Sequence, residues 1–343
     1  MKDGNVFEEE QPAADDDSGS HPYDRLGPDA VISAVESVGY TSDSRLLALN
    51  SYENRVYQVG LEEAEPVIAK FYRPGRWSRE QIQEEHDFSR ELVDSDISVV
   101  APLADDSGTT LHTFDDFLFA LFPRRGGYPP ELDNLDNLLV LGRTLGRIHA
   151  VGRATPFAHR VALSPARMLD ESREFLLDGF IPAELEPAYA SLTADLSTAV
   201  STLYSEINDS DLIRVHGDCH VGNILWRDDT AHFVDLDDCC TAPAIQDLWM
   251  FLNGERHDRQ LQLSELVEGY SEFCDFDARQ VRWIEALRTM RLVHYAAWLG
   301  RRWRDPAFPR SFTWFNTERY WAEHILELRE QLAALQEEPL QLL

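Results

Sequence analysis

The chain has 343 residues, 43% of them hydrophobic and eight of them Trp, enough for one large two-lobed core or two ordinary domains rather than a disordered polymer. Acidic residues outnumber basic ones 61 to 31, a formal charge of −30 that repels DNA, RNA and anionic membranes. No apolar run approaches a membrane span, residues 1–20 are acidic where a secretory signal is basic and then apolar, and four cysteines form no C-x-x-C pair, so a cytoplasmic, reduced protein is expected.

Residues 1–26 mix acid clusters with Pro, Ser and Gly and carry no periodicity, which predicts a flexible acidic tail. Pro28 then opens a helix with Val31, Ile32, Val35 and Val38, ending near Gly39. A strand over 46–49, a polar turn over 50–54 and a strand over 55–59 follow, with a third strand over 67–72. Two strands joined by a small polar turn suit a lid over nucleotide phosphates, with Asn50, Ser51 and Asn54 in place of a Gly-rich loop; an ordinary hairpin loop would read the same way. Lys70 lies inside the apolar third strand, so it either faces solvent at an edge or has an anionic partner. A helix over 79–92 puts Ile82, Glu85, Ser89 and Leu92 on one face and turns Glu84 about 100° away. A strand lysine followed by an inward helix glutamate suits the ion pair that anchors nucleotide phosphates in kinases.

Strands are expected around 99–103 and over 117–122, the second central because its apolar run is nearly continuous. Pro123 to Gly127 breaks it, and the backbone of 121–124 becomes a hinge that could meet adenine. Beyond that point the pattern is helical: 135–152, 182–206, 245–252, 261–270, 281–303 and 320–335. His149 falls on an apolar face and reads as a satisfied core residue, while Arg288, Arg291, Arg301, Arg302 and Arg304 gather basic charge scarce elsewhere. The division expected is a tail (1–26), an N-terminal nucleotide-covering lobe (27–123) and a C-terminal catalytic and substrate lobe (124–343).

Residues 214–238, RVHGDCHVGNILWRDDTAHFVDLDD, carry the chemistry. Asp218 and Asn223 stand five apart, and Asp235 follows twelve later across a β-hairpin over 224–226 and 232–234. That spacing fits phosphoryl transfer, with Asp218 beside the acceptor hydroxyl and Asn223 and Asp235 giving oxygen ligands to Mg²⁺. In a protein this acidic, a nucleotide needs that cation and local basic groups to offset the global field. His216, Cys219 and His220 could instead ligate Zn²⁺, but no fourth ligand completes the set and Asn223 is left unexplained. Cys219 as a nucleophile lacks an elbow around it, so His216 and His220 read as loop organisers. Asp237 and Asp238 are secondary, and Asp247 is a buried architectural carboxylate in need of a partner.

The segments SYENRVYQV (51–59), IAKFYRPGRWS (68–78), EEHDF (84–88), HGDCHVGNILWRD (216–228), FVDLDD (233–238), IQDLWMFLNG (245–254) and RRWRDPAFP (301–309) resemble the bacterial stress-response serine/threonine protein kinases of the aminoglycoside phosphotransferase/choline kinase-like family, from about Pro28 to the C-terminus. The resemblance implies an α+β, bilobal protein-kinase-like fold: an antiparallel sheet lobe with one main helix, then a larger, mostly helical lobe. It implies ATP with Mg²⁺, phosphorylation of protein Ser/Thr including autophosphorylation, and a role in envelope or oxidative stress. By motif, Asp218 matches the proton acceptor, Asn223 and Asp235 the Mg²⁺ ligands with Asp235 also at the active site, Ser51 an ATP contact, and Lys70 and Glu85 the phosphate-anchoring pair. The expected partners are ATP and Ser/Thr-bearing proteins, without nucleic acid or membrane, on a monomer. The alternatives are a small-molecule hydroxyl kinase, whose cationic substrate Asp237 and Asp238 would favour, and a non-catalytic nucleotide-binding scaffold, against which Lys70, Asp218, Asn223 and Asp235 argue. The acidity fits a high-salt cytoplasm, where screening is short-ranged.

Overall fold

The computed structural model describes residues 23–343. Its N-terminal part is a five-stranded antiparallel sheet in the order β1-β2-β3-β5-β4, formed by Ser42–Ala48, Arg55–Leu61, Ala64–Phe71, Phe117–Pro123 and, for β4, His112–Phe114. Helix α1 (Pro28–Ser37) buries Val31, Ala34 and Val35 in one cluster with Val59, Val67, Phe71, Phe119 and Leu121 of the sheet. Helix α2 (Arg79–Asp94) lies on the other face and opens with a reciprocal cap, Ser78 Oγ accepting from the Gln81 amide and Gln81 Oε1 from the Ser78 amide. Ile82 near the start of α2 packs under the sheet, whereas Phe88 and Leu92 near its end belong to the large second core, so α2 ties the two parts together.

Beyond Pro123 the chain is mostly helical: α3 (Leu135–Gly152), a π-helical turn (Ala166–Asp170) running into α4 (Glu171–Leu177), α5 (Glu186–Tyr204), α6 (Ile245–Trp249), α7 (Arg256–Ser271), α8 (Ile284–Arg301), α9 (Ala307–Ser311) and α10 (Glu318–Ala334). Two short antiparallel pairs sit among them, β6 (Leu212–Val215) with β9 (Cys240–Pro243) and β7 (Ile224–Arg227) with β8 (Thr230–Phe233). Helices α3 and α7 approach closely enough that a Cβ on Gly142 would collide with the Leu266 carbonyl. The α+β kinase-like architecture expected from the sequence is what the chain forms. Among the described residues no helix is long and apolar enough to cross a membrane.

Two expectations are corrected. The tail was expected to run to residue 26, yet Tyr23 and Leu26 are buried; residues 1–22 lie outside the described residues. The Tyr23 ring stacks on Phe117 at 5.9 Å under the guanidiniums of Arg55 and Arg73, and its hydroxyl donates to the carbonyls of Glu53 and Phe71. An aromatic ring with cations on its face outweighs the surrounding acidic composition. Residues 99–103 are not a sheet strand either. Val99 forms a lone bridge to Phe233, Val100 N–H donates to the Phe233 carbonyl and Leu103 N–H to that of Leu121, so the segment spans from β8 to β5. Pro102 has no amide to continue a ladder.

Candidate active site

Strand β6 delivers His216, Gly217 and Asp218 to the cleft between the sheet and the helices. Gly217 has φ +85° and its Cα faces the Asp238 carbonyl, so no side chain fits there. The loop hangs on Asp247, whose Oδ2 accepts from the His216 amide at 2.7 Å and whose Oδ1 accepts from the Gly217 amide at 2.9 Å. His149 Nε2 also bonds Asp247 Oδ2 at 2.9 Å, and both side chains are fully buried, which gives each the partner it needs. His216 Nε2 donates to the Val234 carbonyl at 2.9 Å, tying the loop to the chain just before Asp235.

Within the loop, Asn223 Nδ2 donates to the Asp218 carbonyl at 2.9 Å, and His220 Nδ1 accepts from the Gly222 amide. Asp218 is partly exposed; its Oδ1 lies 2.5 Å from Arg291 Nη1 of α8 and its Oδ2 3.5 Å from His220 Nε2. Burial would raise its pKa, but His220 and Arg291 hold it well below the ordinary carboxylate range. Asp218 is therefore ionised throughout the physiological range.

The second half of the site comes from the sheet. Lys70 on β3 is buried, with its ammonium 2.9 Å from Asp235 Oδ1, 3.1 Å from Asp237 Oδ1 and 3.5 Å from Glu85 Oε1 on α2. Burial alone would neutralise this lysine, and the three carboxylates outweigh it, raising its pKa. Glu85 is 2% exposed and burial pushes its pKa up to about 7 against the pull of Lys70, with Asp237 and Asp235 adding to the rise. Asp235 adopts left-handed backbone (φ 59°) and keeps a half-exposed side chain, while a 3₁₀ turn over Leu236–Asp238 sends Asp237 inward. Arg76 forms ion pairs with Asp237 and, at 2.6 Å, Asp238, and Arg160 donates to the Asp237 and Cys239 carbonyls.

The structure thus brings Lys70, Glu85 and Asp235 into one ion cluster and links Asn223 to Asp218. Ser51 lies apart in the lid and hydrogen-bonds none of them among the described residues. Its loop is held down: Tyr52 packs on Phe312 at 4.7 Å, and Glu53 accepts from Trp298 Nε1 at 2.6 Å and pairs with Arg302 at 2.8 Å. The sequence ranked Asp237 only as secondary, because a turn and not a strand follows Asp235, and it gave no partner for Arg76, Arg160 or Arg291 because those partners are 73 to 162 residues away. The only available signal was the local surplus of arginine on α8.

A divalent cation fits these residues. The Asp235 carboxylate has exposed surface, and the Asn223 amide oxygen accepts no hydrogen bond among the described residues. Two oxygen donors plus phosphates and water suit Mg²⁺-like coordination rather than a protein cage. Among the described residues no group of three or more His, Cys, Asp or Glu could enclose a metal, which removes the zinc alternative. Cys219 is buried and its thiol pKa is pushed up by burial, which removes the nucleophile alternative.

The profile of a phosphotransferase enzyme family matches residues 45–284. The chain belongs to that family. It is 46% identical over 321 residues to stress response kinase A of Escherichia coli K12 and equally to the serine/threonine protein kinase RdoA of Salmonella typhimurium, covering 93% of this chain and 97% of each relative. Two solved structures share the family fold: an amicoumacin kinase bound to AMP-PNP and Ca²⁺ (18% identity, 94% of this chain and 96% of that one, TM-score 0.71) and a microcompartment-associated aminopropanol kinase (19%, 89% and 96%, TM-score 0.67). As a kinase of this family, the protein takes phosphate from ATP with a divalent metal ion.

Proposed function

We propose that this protein is a cytoplasmic, monomeric, Mg²⁺-dependent serine/threonine protein kinase acting in stress response, and that it phosphorylates itself as well as other proteins. The observation that carries the reading is the 46% identity over 93% of the chain to relatives named as stress response and serine/threonine protein kinases. In this reading the sheet lobe, with Tyr23 and Leu26 packed into it and reaching to residue 123, covers the nucleotide, and residues 124–343 carry the acceptor side.

Asp218 orients the acceptor hydroxyl and takes its proton. Its depressed pKa makes it a weak base, which suffices because phosphoryl transfer passes through a loose transition state governed by positioning and charge. Lys70, oriented by Glu85, holds the α- and β-phosphates, and Ser51 touches the phosphates from the lid. Asn223 and Asp235 would hold Mg²⁺, which would neutralise charge on the phosphates. In the ion cluster, Asp235 pairs with Lys70; nucleotide and metal binding would divide the two between phosphate and cation.

The small-molecule alternative, drawn from relatives that phosphorylate small hydroxyl compounds, loses a secondary support. Asp237 and Asp238, which could have drawn a cationic substrate, are paired with Lys70 and Arg76. Radiolabelled ATP with the purified protein and a generic protein acceptor tests the proposal. Label is expected on both in the wild type and at least 100-fold less with Asp218→Ala; consumption of ATP only with small alcohols would replace the reading with the alternative.

A further inference from the structure

In a chain of formal charge −30, the acceptor side of the cleft is locally basic. Arg291, His294, Trp298 and Arg301 follow one another at spacings of three or four along α8 and share a face, from which Arg288, paired with Glu285, turns away. Arg291 on that face reaches Asp218. The Trp298 indole and the neighbouring Arg302 are taken by Glu53, but Arg301 has no carboxylate partner among the described residues and donates only to the Glu171 carbonyl at 3.4 Å. Arg167, from the π-helical turn, likewise has no carboxylate partner among the described residues, and its guanidinium sits 6.0 Å from the Trp77 ring. Arg160 and Arg76 lie over the same ring at 4.3 and 5.3 Å, and the buried Trp77 Nε1–H finds no acceptor.

His294 reports the same imbalance. Burial lowers its pKa, and Arg301, Arg167, Arg291 and Arg76 lower it further, to about 4. Arg76 and Arg160 are committed to Asp237, Asp238 and backbone carbonyls and Arg291 to Asp218, which leaves Arg167 and Arg301 to answer a ligand. Donors and cations here exceed acceptors, and a carboxylate-bearing ligand corrects both shortfalls.

We propose that Arg167 and Arg301, near the Asp218–Arg291 pair, form a recognition site for carboxylate-rich peptide segments, so that the acceptor Ser or Thr is chosen by flanking Asp or Glu. The proposal rests on the protein-kinase reading for the acceptor's chemistry, and on the arginine geometry alone for its charge. Selection works against the global field, because a segment repelled by the acidic surface gains only where the cleft reverses the sign.

The test uses the full-length protein and the peptide AADDDSGSH, which copies residues 13–21 of this chain, beside versions with its three Asp changed to Asn or to Lys. Each is titrated by fluorescence anisotropy without nucleotide, then assayed as acceptor with ATP and Mg²⁺. The acidic peptide should bind about tenfold tighter than the Asn version and tighter still than the Lys version. Arg167→Ala with Arg301→Ala should remove about tenfold of that affinity and raise KM with little change in kcat. Arg301→Glu should shift the preference towards the Lys peptide, and Arg304→Ala, an exposed arginine off this face, should retain the wild-type order. Equal binding of the three peptides, or a double variant that melts like wild type and keeps the preference, overturns the inference. Preferential binding of the acidic peptide without phosphate transfer upholds the site and instead removes the protein-kinase reading.

Discussion

Lys70 is one cation facing three carboxylates, and the energetics of the cluster follow from who is left unpaired. Removing it in Lys70→Met strands Glu85, nearly fully buried, and leaves buried Asp237 with Arg76, and should cost about 3 kcal/mol in urea unfolding. Adding Glu85→Leu should return part of that stability while ATP turnover stays lost, because the phosphate anchor is still missing; recovery of turnover would assign the anchor elsewhere. A second buried group sets the acid limit of the fold. His86 is 1% exposed, bonded to Tyr72 and Thr110 at 2.8 Å each, and burial, with the charges of Lys70 and His112, takes its pKa down from 6.5 to about 3. The unfolded chain gains a proton near pH 6.5 that the native state refuses until about pH 3. The stability from neutral His86 is therefore complete above pH 6.5 and lost as pH falls, by about 2 kcal/mol at pH 5. His86→Gln should be less stable than wild type at pH 7.5, with the gap narrowing by about that amount at pH 5; a constant gap would move the titration to another group.

At the scale of elements, what was legible in the sequence was what periodicity and spacing encode. Helix α2 was readable because Ile82, Glu85, Ser89 and Leu92 repeat at helical intervals, and the Lys70–Glu85 pair came with it. The loop from Asp218 to Asn223 was readable because its polar residues stand between apolar strands. The segment 99–103 was misread because an apolar run looks alike whether it joins a sheet or bridges two parts of a fold. The short α4 and α9 left no periodic trace, and the lid's anchorage was invisible because Glu53 and Arg302 are 249 residues apart. That anchorage carries its own consequence. Glu53 is buried, and although burial opposes ionisation, Arg76, Arg302 and Arg73 keep its pKa low. Glu53→Ala should free the lid from α8 and leave those guanidiniums uncompensated, at a cost of about 3 kcal/mol. Hydrogen exchange should rise over 50–54 and KM for ATP should rise with it; unchanged exchange there would show that Tyr52 against Phe308 and Phe312 holds the lid alone.

Over the whole molecule, two electrostatic populations respond oppositely to salt. The cluster around Lys70, Arg76 and Asp237 is shielded from solvent and barely screened, whereas the excess acids on the surface repel one another through water. At about 0.05 M salt that repulsion acts across much of the molecule; at about 1 M the Debye length is roughly 3 Å and only contacting charges still interact. Folding concentrates the −30 charge, so screening should stabilise the native state, raising Tm by about 5 °C between 0.05 and 1 M KCl. Exposed pairs such as Arg319–Glu323 contribute too little to reverse the sign. Differential scanning calorimetry across that series decides the matter, and a Tm that falls with KCl would show attractive pairs outweighing the surplus. The same series run on Asp235→Asn separates surface from site: its salt slope should match wild type, because the charge it removes is one among 61 acidic residues.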